Sequence, residues 1–513
     1  MKRILIEPNR YFDSVFLMRI SRELERLPEV GQAIVAMGTR ANLDSLKAVG
    51  FAIDESPKPI HPNDLVIAID AASDDAIDAA NERLRRLLTG TIEEEGGTTG
   101  ESRPTTIPEA IEVEPDANLA LISVPGAYAA REARRALRHG LHVMLFSDNV
   151  SVEDEIALKD EAIERGLLMM GPDCGTAILN GAPLGFANVV RRGRIGIVGA
   201  SGTGIQEISS LVHRLGGGIS QAIGTGGRDL SRDVGGRMTR FGIEALASDP
   251  ETDVIVVVSK APEPTVADRV VAALREAGKP AVVHFVTAGA RKAEGGVPFA
   301  RTLAEAAELA STEAGVQPQP GRSSFAEIPP AHGSVSGRAV GLFCGADRWA
   351  DELARSATLR IAAPADQRAT LTEAALKIRP GAEAAGHVVW DLGDDAFTAG
   401  KPHPMIEPSL RDGEVVRYAN DPAVGIVLVD CVLGHGAHPD PGGSLADAAK
   451  RAIELAGKDG RALLVIASVT GTDGDPQSRS RQVATLNEAG VLVAPSNAAA
   501  AGWAVDALKG GDG

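Results

Sequence analysis

The residues best suited to chemistry lie in one glycine-rich stretch, Arg194-Ile195-Gly196-Ile197-Val198-Gly199-Ala200-Ser201-Gly202-Thr203-Gly204-Ile205-Gln206-Glu207. Ile195 to Val198 is a short apolar run of the kind that forms a buried strand. Ser201 is a good N-cap, and Ile205, Ile208, Leu211, Val212 and Leu215 follow at helical spacing. A strand, a glycine turn and a helix start make an anion site. Unpaired backbone N–H groups and the positive end of the helix dipole converge on one point. A phosphoryl group held at Ser201, Gly202 and Thr203 is one reading, and an ordinary βα turn is the other. Glu207 lies one turn into the helix and reads by itself as a partner of the dipole.

Three polar loops carry further candidates. Thr225-Gly226-Gly227-Arg228-Asp229 follows an expected strand, where α/β sheets bind ligands. Arg228 there can clamp a carboxylate or phosphate with two parallel hydrogen bonds, or pair with Asp229 or solvent. Lys401-Pro402-His403-Pro404 is stiffened by its prolines, and His403 can serve as acid, base or phosphate donor, or the loop can be merely rigid. Gly434-His435-Gly436-Ala437-His438 also follows a strand. His438 reads as a phosphate or substrate contact or as a cap on the next helix. The spacing of His435 and His438 suits a metal, but no further ligands are identifiable, so no metal site is assigned. Cys174 sits in a tight turn, Gly171-Pro172-Asp173-Cys174, without a nearby histidine to activate it as a nucleophile.

Alternating strands and helices must position these groups. Residues 1–90 read as a βαβαβα block, ferredoxin-like or Rossmann-like, followed by a linker rich in Gly, Thr, Glu and Pro. Residues 105–170 read as a βαβαβ block, which predicts a parallel sheet with right-handed crossovers. Residues 171–312 continue as a doubly wound block around the glycine stretch. A Pro-rich linker, 311–337, precedes a similar block over 338–513, whose first strand also ends in a glycine turn, Cys344-Gly345-Ala346-Asp347. The polar stretches after Gly224 and from Leu392 to Arg417 read as loops. The fold class is thus α/β, an N-terminal α/β region followed by two flavodoxin-like domains.

Composition narrows the functions. A net charge of −17 argues against a nucleic-acid partner, which needs a basic face. Three scattered cysteines form neither a disulfide framework nor a zinc site, as expected of a reducing cytoplasm. No stretch reaches the ~20 apolar residues of a membrane span, and no signal peptide is evident. Hydrophobic content of 44% with 57 glycines suits several packed α/β cores.

Residues 118–290 resemble the α subunit of succinyl-CoA synthetase. The likeness rests on Gly171-Pro172-Asp173-Cys174, Ile197 to Thr203 with Glu207, Gly224-Thr225-Gly226-Gly227 and Ser248-Asp249-Pro250-Glu251-Thr252-Asp253. Residues 339–508 are similar to the ligase domain of the β subunit, through Gly341 to Leu353, Asn420-Asp421-Pro422 and Gly471 to Pro476. The N-terminal block, with Asp13-Ser14-Val15, Met37-Gly38-Thr39 and Pro62-Asn63-Asp64, resembles the FdrA-like branch of this superfamily. The resemblance implies two succinyl-CoA-ligase-type domains whose helix starts face one phosphoryl group. One start is at Ser201–Thr203 and the other at Gly345, Ala346 and Asp347. It also implies that Glu207 holds a phosphohistidine imidazole, and that Cys174, Gly226 and Gly227 line the pocket.

The departures redirect the chemistry. The histidine-bearing Gly-His-Ala-Gly loop of the relatives corresponds to Ala288 to Gly296, which contains no histidine. The first ninety residues are too short for the nucleotide-binding ATP-grasp domain. The FdrA-like resemblance implies a subunit of oxamate carbamoyltransferase, in allantoin (ureide) catabolism. It would work with carbamoyl phosphate or phosphate as substrate and in a hetero-oligomer with other subunits. Glu207, Arg228, His403 and His438 are then the catalytic candidates. Two alternatives stand beside it. One is an acyl-CoA synthetase subunit that binds CoA and uses His403 or His438 in place of the missing histidine. The other is a non-catalytic ligase-like module.

Overall fold

The computed structural model describes all residues except 9, 11, 13, 26, 40–41, 44–45, 48–49, 54–58, 95–103, 286–295, 318–334, 346–386, 394–396, 398–401 and 510–513. Ala346, Asp347, Lys401 and most of the loop from Ala288 to Gly296 therefore lie outside the described residues. The chain divides into two compact units, Met1–Arg103 with Thr398–Pro402, and Pro104–Phe397 with His403–Gly513.

The first unit contains β1 (Lys2–Glu7), α1 (Ser14–Glu25), β2 (Val30–Met37), β3 (Leu65–Ala71) and α2 (Asp74–Glu94). Period-two alternation splits β3 between two cores. Leu65, Ile67 and Ile69 meet Leu17, Ile20 and Leu24 of α1 and Ile77, Ala80 and Leu84 of α2. Val66 and Ala68 meet Leu46, Phe51 and Ile53. The strand order is β1-β3-β2, with β3 antiparallel to both neighbours. Inserting β3 between two helix-linked strands gives the split βαβ of ferredoxin-like folds and removes the Rossmann-like alternative, which requires a parallel sheet. One-dimensional alternation cannot show strand direction, so the sequence left both open.

The second unit opens with α3 (Ile107–Val113), β4 (Leu119–Ile122), α4 (Gly126–Arg138), β5 (His142–Leu145), α5 (Val152–Glu164) and β6 (Met169–Met170). As expected, β4-β5-β6 is a parallel sheet.

A six-stranded sheet follows, built from β7 (Thr176–Leu179), β8 (Ala182–Gly185), β9 (Arg192–Gly199), α6 (Gly202–Leu215), β10 (Ile219–Gly224), α7 (Arg237–Ser248), β11 (Val254–Ser259), α8 (Pro264–Glu276), β12 (Ala281–Phe285) and α9 (Leu303–Glu313). Its order is β12-β11-β9-β10-β7-β8. Val254, Val256 and Val258 of β11 pack with α6 and α9 on one face, and Ile255 and Val257 with α7 and α8 on the other. Helices on both faces make the sheet doubly wound. Two details depart from expectation. The β7–β8 hairpin runs antiparallel to β10 at one edge. The stretch after Gly224 holds α7, whose buried Met238, Thr239, Gly242, Ile243 and Leu246 are too mixed in type to read as an apolar stripe.

The last sheet comprises β13 (Arg338–Phe343), β14 (Val388–Asp391), α10 (Ser409–Ala419), β15 (Val424–Val432), α11 (Pro441–Lys458), β16 (Leu464–Thr470), α12 (Arg479–Glu488), β17 (Leu492–Ala494) and α13 (Asn497–Lys509). It is parallel in the order β14-β13-β15-β16-β17. Here α10 was read as loop, because two of its buried positions are Arg411 and Asp412. Among the described residues, no helix is long and apolar enough to cross a membrane.

Candidate functional site

The first turn forms as its sequence dictates. Ser201 Oγ accepts the Gly204 N–H at 3.1 Å and caps α6. The flanking glycines are needed for close approach rather than for left-handed backbone. A Cβ on Gly199 would stand 2.8 Å from Ile205 Cγ1 and from Val258 Cγ1, and one on Gly204 would stand 2.9 Å from Val258 Cγ2. The helix start is thereby pressed onto the end of β11. The N–H groups of Gly202 and Thr203 have no acceptor among the described residues, and both residues are partly exposed. They are the first-turn donors available to an anion.

The second glycine turn is brought to this one. A Cβ on Gly345 would lie 2.7 Å from Thr203 Cγ2 and 2.9 Å from Thr203 Cβ. The turn's own amides, however, are committed. Cys344 N–H and Gly345 N–H each donate to the Asp430 carboxylate at 2.8 Å. Asp430 is fully buried near the end of β15. Gly345 therefore lends proximity rather than the phosphate-binding amide implied by resemblance. Buried Arg411 sits beneath, donating from Nη1 to the Asp430 backbone carbonyl at 3.0 Å and from Nε and Nη2 to Asp412 at 2.9 and 2.7 Å. Sequence reading missed both Asp430 and Arg411. One lies inside an apolar strand run, the other on the helix mistaken for loop.

His403 reaches the same turn. Its Nε2 would stand 2.7 Å from a Cβ on Gly393, a position 2.8 Å from the Cys344 carbonyl oxygen. The ring lies against Phe186 with centroids 5.9 Å apart. Met405 N–H donates to His403 Nδ1 at 3.2 Å. Burial pushes the imidazole down to about 4, against a weaker upward pull from Asp430. Phe186, Cys344, Met405 and Val432 form one buried cluster, so the His403 loop is anchored to the second glycine turn. The His438 loop docks onto it, with His438 N–H donating to the Met405 carbonyl at 2.8 Å. His438 Nδ1 accepts the Asp440 N–H at 3.1 Å, just before the start of α11.

The remaining candidates are engaged elsewhere. Glu207 is buried and accepts the Thr470 hydroxyl from the other sheet. Arg228 Nη2 donates to the Val150 carbonyl at 2.8 Å and pairs with Glu155 at 2.9 Å, although its side chain is 45% exposed. Asp229, its expected partner, instead binds buried Lys159 at 2.8 Å. Cys174 has little exposure to solvent. It is buried in the core under Gly224, where a Cβ would stand 2.6 Å from its Sγ, and burial pushes the thiol up to about 12. Gly226, at φ +85°, lies on the Pro172 carbonyl, while Gly227 faces Asp173 Oδ2.

A buried polar seam joins the two doubly wound sheets. Asn188 Nδ2 donates to the Leu433 carbonyl and to Asp475 Oδ2, both at 2.9 Å. Val189 N–H donates to Asp475 Oδ1 at 2.6 Å, and Thr472 Oγ1 to the Val189 carbonyl at 2.6 Å. Gln206 Nε2, on α6, donates to Asn188 Oδ1 and the Leu433 carbonyl, both at 3.2 Å. Buried hydrogen-bond networks of this kind favour one arrangement of the parts they join, although Gln206 Oε1 is left without a partner among the described residues. The seam holds Thr203 against Gly345.

Comparisons with known proteins follow the same division. A family described as CoA binding domain matches residues 190–287, the sheet that carries α6. One described as CoA-ligase matches residues 367–506, and one described as AllF, heavy metal-associated domain, matches residues 1–104. The uncharacterized protein YahF of Escherichia coli strain K12 is 44% identical over 511 residues, 96% of each chain. The succinate–CoA ligase [ADP-forming] subunit alpha 2 of Archaeoglobus fulgidus is 31% identical over 261 residues, 47% of this chain and 88% of that one. The corresponding alpha subunit of Aquifex aeolicus is 32% identical over 183 residues, 34% of this chain and 58% of that one.

The heavy-metal description does not fit the residues present. Soft metals select thiolates, yet residues 1–104 contain no cysteine and only one histidine, His61. Among the described residues no group of three or more His, Cys, Asp or Glu is placed to hold a metal ion. The chain belongs to the succinyl-CoA synthetase/CoA-ligase superfamily, as an α/β protein with an AllF-type N-terminal domain ahead of CoA-binding and CoA-ligase domains.

Proposed function

We propose that this chain is the phosphate-gripping subunit of an acyl-phosphate-dependent group-transfer enzyme, and that the enzyme is an oxamate carbamoyltransferase. The observation that carries the reading is the seating of Thr203 against Gly345, which leaves the Gly202 and Thr203 amides open beside a second glycine turn. In the proposed reaction, phosphate oxygen attacks the carbamoyl carbon of oxalurate. The carbon–nitrogen bond breaks, and the phosphate proton passes to the departing oxamate nitrogen. Carbamoyl phosphate is the other product. The α6 amides and helix dipole would hold the phosphate by positioning and electrostatic stabilisation. Support for the carbamoyl choice comes from the FdrA-like resemblance, and support for partner subunits from relatives that are themselves subunits.

The test runs the exchange backwards. The full chain, alone and with candidate partner subunits, is given carbamoyl phosphate and oxamate, and oxalurate is measured. Oxalurate formation that depends on this chain supports the reading. No oxalurate in any combination overturns the carbamoyl assignment, and no binding of phosphate or carbamoyl phosphate overturns the anion site.

A second reading, an acyl-CoA synthetase subunit, is favoured by the match of the CoA-binding family to the sheet that carries α6. It predicts acid-labile phosphohistidine after incubation with labelled ATP and a nucleotide-binding partner.

A further inference from the structure

His403 has a ring whose hydrogen bonding fixes which nitrogen lies beside Gly393, next to the Cys344 end of the second glycine turn. Its Nδ1 accepts the Met405 N–H at 3.2 Å, so Nδ1 presents a lone pair and the proton of the neutral ring sits on Nε2. Three features hold that state. The Met405 amide belongs to the same loop, two residues on, so the bond is local and short-range. The Phe186 ring packs beside it, tilted by 40° with centroids 5.9 Å apart. Met405 is itself locked in the cluster with Cys344, and its carbonyl is held by His438 N–H. The Nε2 end abuts Gly393 and the Cys344 carbonyl side of the turn whose next residue, Gly345, touches Thr203. Gly393 bears on this directly, because any side chain there would collide with Nε2.

We propose that His403 is a neutral Nε2–H donor to the acyl-phosphate substrate, and not a phosphoryl acceptor. The inference rests on the anion-site reading above and adds to it the role of one residue. A nitrogen that carries a proton has no lone pair with which to attack phosphorus. The same N–H is suited to hydrogen-bond an oxygen of the phosphate or of the transferred carbamoyl group, where charge builds up as the bond breaks. Burial strengthens the assignment, since it keeps the ring uncharged at neutral pH. A neutral donor stabilises the developing negative charge without surrendering its proton. This differs from the covalent route, in which the histidine attacks with an unprotonated nitrogen and then passes the phosphoryl group on.

Three substitutions separate the roles of the two ring nitrogens. Gln places an amide N–H close to the position of imidazole Nε2, Asn places one close to Nδ1, and Ala places neither. Carbamoyl phosphate binding by the full chain is measured by calorimetry for wild type, His403→Gln, His403→Asn and His403→Ala. Unfolding midpoints confirm that each variant folds. One hydrogen bond to a charged oxygen corresponds to about 10- to 100-fold in affinity. We expect losses of that order for Ala and Asn, with Gln staying near wild type. Nitrogen NMR of labelled imidazole should show Nδ1 unprotonated and Nε2 protonated.

Equal affinity of His403→Ala and wild type overturns the proposal. So does a spectrum with the proton on Nδ1, or phosphoryl-His403 found by mass spectrometry after incubation with carbamoyl phosphate. If wild type itself binds neither carbamoyl phosphate nor phosphate, the anion-site reading fails first, and the tautomer measurement still decides the state of His403.

Discussion

Thr203 and Gly345, 142 positions apart in the chain, meet so closely that a methyl group on Gly345 would stand 2.7 Å from Thr203 Cγ2. Its three nearest neighbours, at 2.7, 2.9 and 3.1 Å, all belong to the Thr203 side chain. Gly345 itself is outside the left-handed region, so the obstacle to alanine is that contact rather than the backbone. Gly345→Ala should cost about 1–3 kcal/mol as overpacking and should weaken phosphate binding by spreading the two turns. Adding Thr203→Gly removes the obstructing atoms. The double variant should then be more stable than the sum of the single losses predicts, as for residues in direct contact. Urea unfolding of the four proteins checks this. Strict additivity would mean that the two turns do not touch in solution.

The loop that carries Gly226 and Arg228 is tied down by buried charge. Lys159, Glu155 and Asp229 are all fully buried. Lys159 Nζ uses its three protons on Glu155 Oε1 at 2.7 Å, the Thr225 carbonyl at 2.9 Å and Asp229 Oδ1 at 2.8 Å. Asp229 Oδ2 in turn accepts Thr239 N–H and Oγ1–H at 2.8 and 2.7 Å, which secures the start of α7. Lys159→Met keeps the bulk and removes the cation, leaving buried Asp229 without its ion-pair partner and Glu155 with only the half-exposed Arg228. We expect a loss of about 3–5 kcal/mol, the usual consequence of breaking a buried ion pair from one side. Lys159→Met paired with Glu155→Gln and Asp229→Asn should recover part of it. A single variant within about 0.5 kcal/mol of wild type would show that the cluster does not brace the loop.

All three thiols should be inert in the native protein. Cys174, Cys344 and Cys431 are buried. Burial pushes Cys174 and Cys431 up to about 12 and Cys344 well above its ordinary value. At pH 8 a thiol near 12 is ionised in roughly one molecule in ten thousand. A disulfide reagent at pH 8 should therefore titrate none of the three quickly in buffer and all three in guanidinium. A fast-reacting native thiol would show that one of the three is solvent-accessible in the folded protein.

How far these arrangements were legible in the sequence depended on how local they are. The Ser201 cap, the glycine turn and α6 rest on contacts within four residues, and the sequence displays them directly. The alternation of the two doubly wound blocks was equally plain. Strand direction was not, because β1 and β2 become neighbours of an antiparallel β3 only in space. Long-range polar contacts were hidden for the same reason. Glu207 meets Thr470 across 263 residues, and Asp430 takes the Cys344 and Gly345 amides across 86 and 85. No spacing rule encodes such pairs. Arg411 and Asp412 actively misled, since two charged residues buried on α10 break the apolar stripe that marks a helix.

The His403 imidazole should leave its mark on the pH dependence of stability. Its folded value is pushed down to about 4 by burial, while Asp430 pulls weakly upward, against an ordinary value of 6.5. Between those values the unfolded chain binds a proton that the folded chain refuses. Stability therefore falls as pH drops from about 6.5 toward about 4, by up to about 3 kcal/mol from this group. His142 and His387 are also lowered by burial, so wild type alone would blend three contributions. Comparing it with His403→Gln cancels the other two. Urea unfolding of both proteins between pH 4.5 and 7.5 should show wild type losing stability relative to the Gln variant as pH falls. Above pH 7 the difference should be constant. Parallel curves over the whole range would mean that the ring is charged or solvated in the native state, and its assignment as a neutral donor would fall with them.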